Sequence, residues 1–161
     1  MITVQIRNIY GTIIVLSLLI AFPLQADDLR DEGDGTVSAL ATNLLWQKCS
    51  AGQNNDSLCS GSALAFNWVN ALNYCKNLSL AGKAWRLPSV TELRSIIDRD
   101  RSVQPFIDLA VFPATINSVY WTSTTWAGNP GSAWIVNFGR AASGPDQKTT
   151  AYYVRCVSTR P

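Results

Sequence analysis

The stretch Ser62–Leu78, SALAFNWVNALNYCKNL, decides the fold. Leu64, Trp68, Ala71, Leu72, Cys75 and Leu78 stand at offsets 0, 4, 7, 8, 11 and 14, which is one apolar face of an α-helix. A helix is therefore expected from Ser62, with Cys75 turned into the core. Gly82 lies just past its end, where a left-handed cap is expected.

Downstream comes Trp85-Arg86-Leu87-Pro88. Pro88 cannot sit inside a helix and biases Leu87 to an extended form. Ser89 and Glu92 form an S-x-x-E capping box that opens a second helix, with Leu93, Ile96 and Ile97 as its buried face and an end near Arg99. Arg99 to Asn117 reads as irregular, broken by Pro105 and Pro113. The last third is rich in aromatic and β-branched residues and predicts strands over 119–125, 133–138 and 152–157. The loop between the last two contains Gly144-Pro145-Asp146, a turn signature. Upstream, Gly35-Thr36-Val37 and Leu44-Leu45-Trp46-Gln47 predict two short strands. Helices set apart from an antiparallel sheet give an α+β class, with two helices packed on that sheet.

Four cysteines, Cys49, Cys59, Cys75 and Cys156, allow three pairings. Cys49 and Cys59 flank a polar stretch, and a local bridge would staple it. Cys75 and Cys156 would then tie the middle of the chain to its last strand. No C-x-x-C pair is present, which argues against zinc or a redox couple. An even count in an exported chain points to two disulfides.

Export is expected from the N-terminus. Arg7 precedes an apolar run over 12–24, and Leu24-Gln25-Ala26 gives way to Asp27-Asp28, the pattern of a secretory signal peptide over 1–26. Residues 27–34 hold five acids and Arg30, an acidic leader; residues 35–161 hold 11 Lys/Arg against six Asp/Glu and form the folded domain. No membrane association is expected once the signal is removed, and the periplasm, the cell surface or the exterior is the expected location. With 161 residues, 47% hydrophobic and 15% charged, the chain has material for one core and is not a disordered segment. It contains no histidine, which removes histidine triads, histidine zinc sites and histidine acid–base pairs.

In order along the chain stand Gly35-Thr36-Val37, Leu45-Trp46-Gln47, Trp68, Tyr74-Cys75, Trp85-Arg86-Leu87-Pro88 with Glu92-Leu93, Phe112-Pro113, Tyr120-Trp121-Thr122-Ser123, Ala133-Trp134 and Val154-Arg155-Cys156-Val157. This series resembles the bacterial Lcl C-terminal-domain family, named for a collagen-like adhesin, from about Gly35 to Val157. The W-R-L-P followed by E-L, and the closing V-R-C-V, are its specific parts. The resemblance implies a C-type lectin-like fold, in which a bridge joins the first helix to the final strand, the part Cys75 and Cys156 would play. It also implies adhesion, with glycosaminoglycan binding as precedent. The chain departs from the family in Ser38-Ala39-Leu40 after the first strand, and in Asn43 where a glycine commonly stands; asparagine is the next-best residue for a left-handed position. Collagen-like Gly-x-y repeats are absent.

The calcium motifs of true C-type lectins are missing, and Asp146 alone supplies a carboxylate in that region, so no metal and no cofactor are expected. Asp98, Asp100 and Asp108 read as solvated or capping acids. Sulfatase-activating oxidases share the implied fold, but they need reactive cysteines, and a catalytic site is not expected. Arg86 and Glu92 read as a structural pair around Pro88. Trp46, Trp68, Trp85, Trp121 and Trp134 fall inside expected elements and read as core.

Trp126 is different, since it sits in the loop Ala127-Gly128-Asn129-Pro130-Gly131. With Asn129, and with Arg140 and Lys148 flanking the next glycine-rich loop, it makes the candidate ligand-binding surface. The expected function is a non-catalytic module for adhesion or for an anionic polysaccharide or an envelope or surface protein, with no nucleic-acid partner. The alternative is a structural or assembly subunit of a surface appendage.

Overall fold

A computed structural model describes residues 5–7, 13–15 and 29–160 of the chain. Within the stretch expected to be a signal peptide, Gln5–Arg7 (β1) pairs antiparallel with Ile13–Val15 (β2). The rest of that stretch, including the expected cleavage after Ala26, lies outside the described residues.

The remaining elements are β3 (Leu29–Asp31), β4 (Thr36–Ala39), β5 (Leu44–Gln47), β6 (Ala65–Phe66), α1 (Trp68–Lys76), α2 (Val90–Ser95), β7 (Val119–Thr125), β8 (Ser132–Asn137), β9 (Ala142–Gln147), β10 (Tyr152–Tyr153) and β11 (Val157–Thr159). They form two sheets, β11-β5-β4-β3 and β6-β10-β7-β8-β9. The second is mixed, because β10 runs parallel to β7. The class is α+β and disulfide-bonded, as expected, but two sheets replace the single antiparallel one.

Both sheets feed the core. Along β5, Leu44 and Trp46 join a cluster with Val37, Leu93, Ile107, Phe112, Tyr120 and Phe138. Leu45 points the other way, to Ala71, Cys75, Trp85, Trp121, Val154 and Cys156. All residues of β4 and β5 are buried, so this part of the sheet is covered on both faces. Trp46, Trp85 and Trp121 are core residues as expected, whereas Trp68 and Trp134 are only half-buried.

Several expectations are corrected. The first helix begins at Trp68, not Ser62. Asn67 caps it, accepting from the Asn70 N–H at 2.9 Å, and Ala65–Phe66 is instead a strand paired with β10. Leu64 lies outside the helix and is exposed. Gly82 is left-handed at φ +63°, but the helix already ends at Asn77. The capping box of Ser89 and Glu92 is present, yet α2 stops at Ser95. The acidic leader contributes β3 to the sheet: Leu29–Asp31 pairs with β4, and Asp31 takes Lys48 Nζ at 2.6 Å.

Gly144-Pro145-Asp146 is not a turn but part of β9, an outer strand where proline is tolerated. The expected last strand is split in two. After β10 the chain leaves one sheet, crosses through buried Val154-Arg155-Cys156, and enters the other as β11.

Both disulfides are formed, Cys49–Cys59 and Cys75–Cys156, with Cα atoms 5.1 and 5.5 Å apart. The second clasps the inner face of α1 to the crossing segment. Asn43 adopts φ 55°, the left-handed position that the family resemblance implied for it.

The Cys75–Cys156 bridge closes a separation of 81 residues. Removing it with the double substitution Cys75→Ala/Cys156→Ala is expected to cost about 4–5 kcal/mol, from the chain-entropy relation. Urea unfolding followed by tryptophan fluorescence measures this. A loss below about 1 kcal/mol would mean that packing, not the clasp, holds α1 in place.

Candidate functional site

Strand β9 decides where the four candidate residues lie. Its pairing with β8 sets Ser132 opposite Gln147 and Asn137 opposite Ala142. The β7–β8 turn, with Trp126 and Asn129, is therefore at one end of β8, and Lys148 lies beside it. Arg140 is in the β8–β9 turn at the other end, separated by the six residues of β8, about 20 Å at 3.4 Å per residue. The surface expected to join Trp126 to Arg140 is thus two surfaces, facing opposite ends of the sheet.

At the first end the turn is held from within. Trp126 N–H donates to the Ser132 carbonyl at 3.0 Å, and Asn129 Oδ1 accepts from Gly131 N–H at 2.8 Å. The indole covers Gly128, where a Cβ would fall 2.5 Å from the ring and displace it. Trp126 keeps 36% of its surface exposed. Lys148 is a clamp: its Nζ donates to Thr125 Oγ1 and to the Pro130 carbonyl, both at 2.9 Å, and sits 4.0 Å from the centre of the Trp68 ring. Its ammonium group is thus held in place within the protein. Nearby Asp146 accepts from the Tyr152 hydroxyl, which pushes the Tyr152 pKa up to about 12.

The other end gathers guanidinium groups. Phe106 N–H donates to the Phe138 carbonyl at 2.7 Å, docking the segment after α2 against the β8–β9 turn. Arg99 Nη1 then reaches the Ala141 carbonyl at 3.3 Å, beside Arg140, while Arg101 Nε is held by the Pro105 carbonyl at 3.1 Å. Asp98 lies here too, and its Oδ1 accepts from Asp100 N–H in a local turn beyond the end of α2. Among the described residues the ion pairs are Lys48–Asp31 and Arg86–Glu92, so Arg99, Arg101 and Arg140 have no carboxylate partner. Sequence reasoning missed Arg99 and Arg101 as neighbours of Arg140. Recognising β9 as a strand would have placed the Arg140 turn at the α2 end.

Arg86 and Glu92 serve structure. The guanidinium donates to both carboxylate oxygens at 2.8 and 2.6 Å, and Glu92 Oε2 also takes the Ser89 N–H at 2.8 Å. Arg86 bridges to Val157 through paired backbone hydrogen bonds of 2.9 Å, and the Pro88 carbonyl accepts from Ser123 N–H of β7 at 2.7 Å. The Trp85–Pro88 segment thus links the two sheets.

Arg155 is wholly buried and has no carboxylate partner among the described residues. It donates to the carbonyls of Gln47 and Lys48 at 3.3 and 2.5 Å and to Thr115 Oγ1 at 2.7 Å, and lies 4.5 Å from the centre of the Phe112 ring. Among the described residues no group of three His, Cys, Asp or Glu converges as a metal site.

The family model of the Lcl C-terminal domain matches residues 35–158 of the chain. No curated protein sequence matches it significantly.

The Arg86 guanidinium holds the Glu92 carboxyl at about 2, against an ordinary 4.5. A depressed folded pKa means that this pair stabilises the protein above pH 4.5 and that the contribution is lost as pH falls toward 2. Urea midpoints measured from neutral to acid pH are expected to fall through that window, and Glu92→Gln is expected to flatten the fall. An equal slope in the variant would assign the acid sensitivity to other carboxylates.

Proposed function

Because the chain belongs to the Lcl C-terminal domain family, we propose that it is an exported, non-catalytic binding module that meets an anionic polysaccharide at the Arg140 end of its five-stranded sheet. The observation that carries this reading is that Arg99 and Arg101, on the segment after α2, meet the β8–β9 turn that holds Arg140, and that among the described residues none of the three forms an ion pair, although Asp98 and Asp100 stand beside the first two. Guanidinium groups bind carboxylate and sulfate in bidentate geometry and remain charged at any working pH. Exposed guanidinium groups at the end of a sheet suit a flexible polyanion.

Export is supported by the signal-peptide pattern over 1–26 and by two disulfides, which persist in oxidising compartments. A C-type lectin-like fold is supported by the clasp between α1 and the crossing into the last strand. The opposite end, with Trp126 and Asn129, is a second contact in this reading, where an exposed indole on a braced turn offers a flat face. The competing role is an assembly subunit of a surface structure, which has no need of free guanidinium groups.

Elution from immobilised heparin along a salt gradient tests the proposal. The protein is expected to elute well after a neutral control, and Arg99→Gln/Arg140→Gln is expected to elute at clearly lower salt, because each lost contact releases fewer counterions. The charge-matched pair Lys76→Gln/Lys83→Gln is expected to change retention little. Elution of the unmodified protein with the neutral control would leave the assembly role as the better reading, and equal loss in both variants would reduce the effect to overall charge.

A further inference from the structure

A separate surface, away from the arginine end, lies along α1. Asn70, Asn73 and Asn77 descend one side of this helix and line an open groove of about 450 Å³ whose wall is Phe66, Tyr74 and Leu78. All three asparagines are exposed, and none of their carboxamides bonds to a described residue. Helix formation does not account for Asn70 and Asn73, because asparagine is a poor former in a helix interior. The residues that do serve the helix are Asn67, whose side chain caps its start, and Asn77, which is its C-cap.

The wall is fixed. The Phe66 and Tyr74 rings pack with centroids 5.4 Å apart. The Phe66 carbonyl accepts from Trp121 Nε1 at 2.8 Å, and the Tyr74 hydroxyl accepts from Gln47 Nε2 at 3.1 Å. Both rings are thus anchored to buried residues and hold their places without a ligand. Among the described residues no charged side chain lines the groove.

We propose that this groove binds an uncharged oligosaccharide. Each free carboxamide offers two donors and one acceptor, the complement of a sugar hydroxyl that both gives and takes. The aromatic wall offers a face to the C–H side of a pyranose ring. Successive carboxamides are spaced by about 4.5 and 6 Å along the helix axis, from the rise of 1.5 Å per residue, so neighbouring rings of one chain would each find one. A polyanion would gain nothing here, because no cation lines the groove. A peptide would find no closed apolar pocket for an anchoring side chain.

The test follows the side-chain amide resonances of the isotope-labelled full chain during titration with cellohexaose, maltohexaose, mannohexaose and chitohexaose at millimolar concentration, with an uncharged Gly/Ser hexapeptide alongside. At least one sugar is expected to shift Asn70, Asn73 and Asn77 while leaving the Arg140 turn unmoved, and molar salt is expected to leave the affinity unchanged. Asn73→Ala, which removes no internal hydrogen bond and favours the helix, is expected to weaken binding roughly three- to tenfold. Asn70→Ala is expected to act similarly. The proposal is overturned if no sugar moves these resonances, if the peptide alone does so, or if the alanine variants bind as tightly as the unmodified chain.

Discussion

A buried guanidinium holds the two sheets together. Arg155 sits where the chain passes from β10 in one sheet to β11 in the other, with no carboxylate partner among the described residues. Removing a full charge from water is costly, and burial pulls its pKa down. The charge is tolerated because dipoles replace water around it: the carbonyls of Gln47 and Lys48, the hydroxyl of Thr115 and the face of Phe112. Those partners come from the end of β5, the segment beyond it, and the irregular region before β7. The cation therefore acts as a hub that gathers these segments through its two Nη groups, while its Nε has no partner among the described residues. Its neighbour Cys156 adds the covalent tie to α1.

The two specific motifs of the sequence turn out to perform one task. Val154–Val157 crosses between the sheets, and Trp85–Pro88 links them a second time through Val157 on one side and Ser123 on the other. Arg86 in that link is held by Glu92, which also caps α2. The capping box, the proline and the ion pair thus set the position of a helix and the spacing of two sheets together.

Much of this was legible. The inward place of Cys75, the capping box and the strands over 44–47 and 119–125 follow from local chemistry that the tertiary structure leaves undisturbed, and the left-handed Asn43 follows from the glycine that the family resemblance puts at its position. The failures share a cause, which is pairing between distant residues. Ala65–Phe66 has helical spacing but is claimed by Tyr152–Tyr153. Pro145 signals a turn but stands on an outer strand, where its missing N–H costs no ladder bond. That single misreading carried into the candidate site: without β9, the turns around Trp126 and Arg140 look like neighbours, and with it they must lie apart. No local signal announced that Arg99 would reach Ala141, or that three asparagines would line a groove.

The long reach of the C-terminal contacts has a consequence for how the molecule is made. A growing chain emerges with its beginning first, so Cys49 meets Cys59 within ten residues while Cys75 must wait for 81 more. Arg155 likewise docks on carbonyls laid down more than 100 residues before it. During that interval the core has no lock, and a lone thiol at position 75 is open to exchange with the pair already formed. The closing stretch of the polypeptide is therefore the moment of commitment, and a chain truncated before it would retain its early loop staple yet lack the means to become a single body.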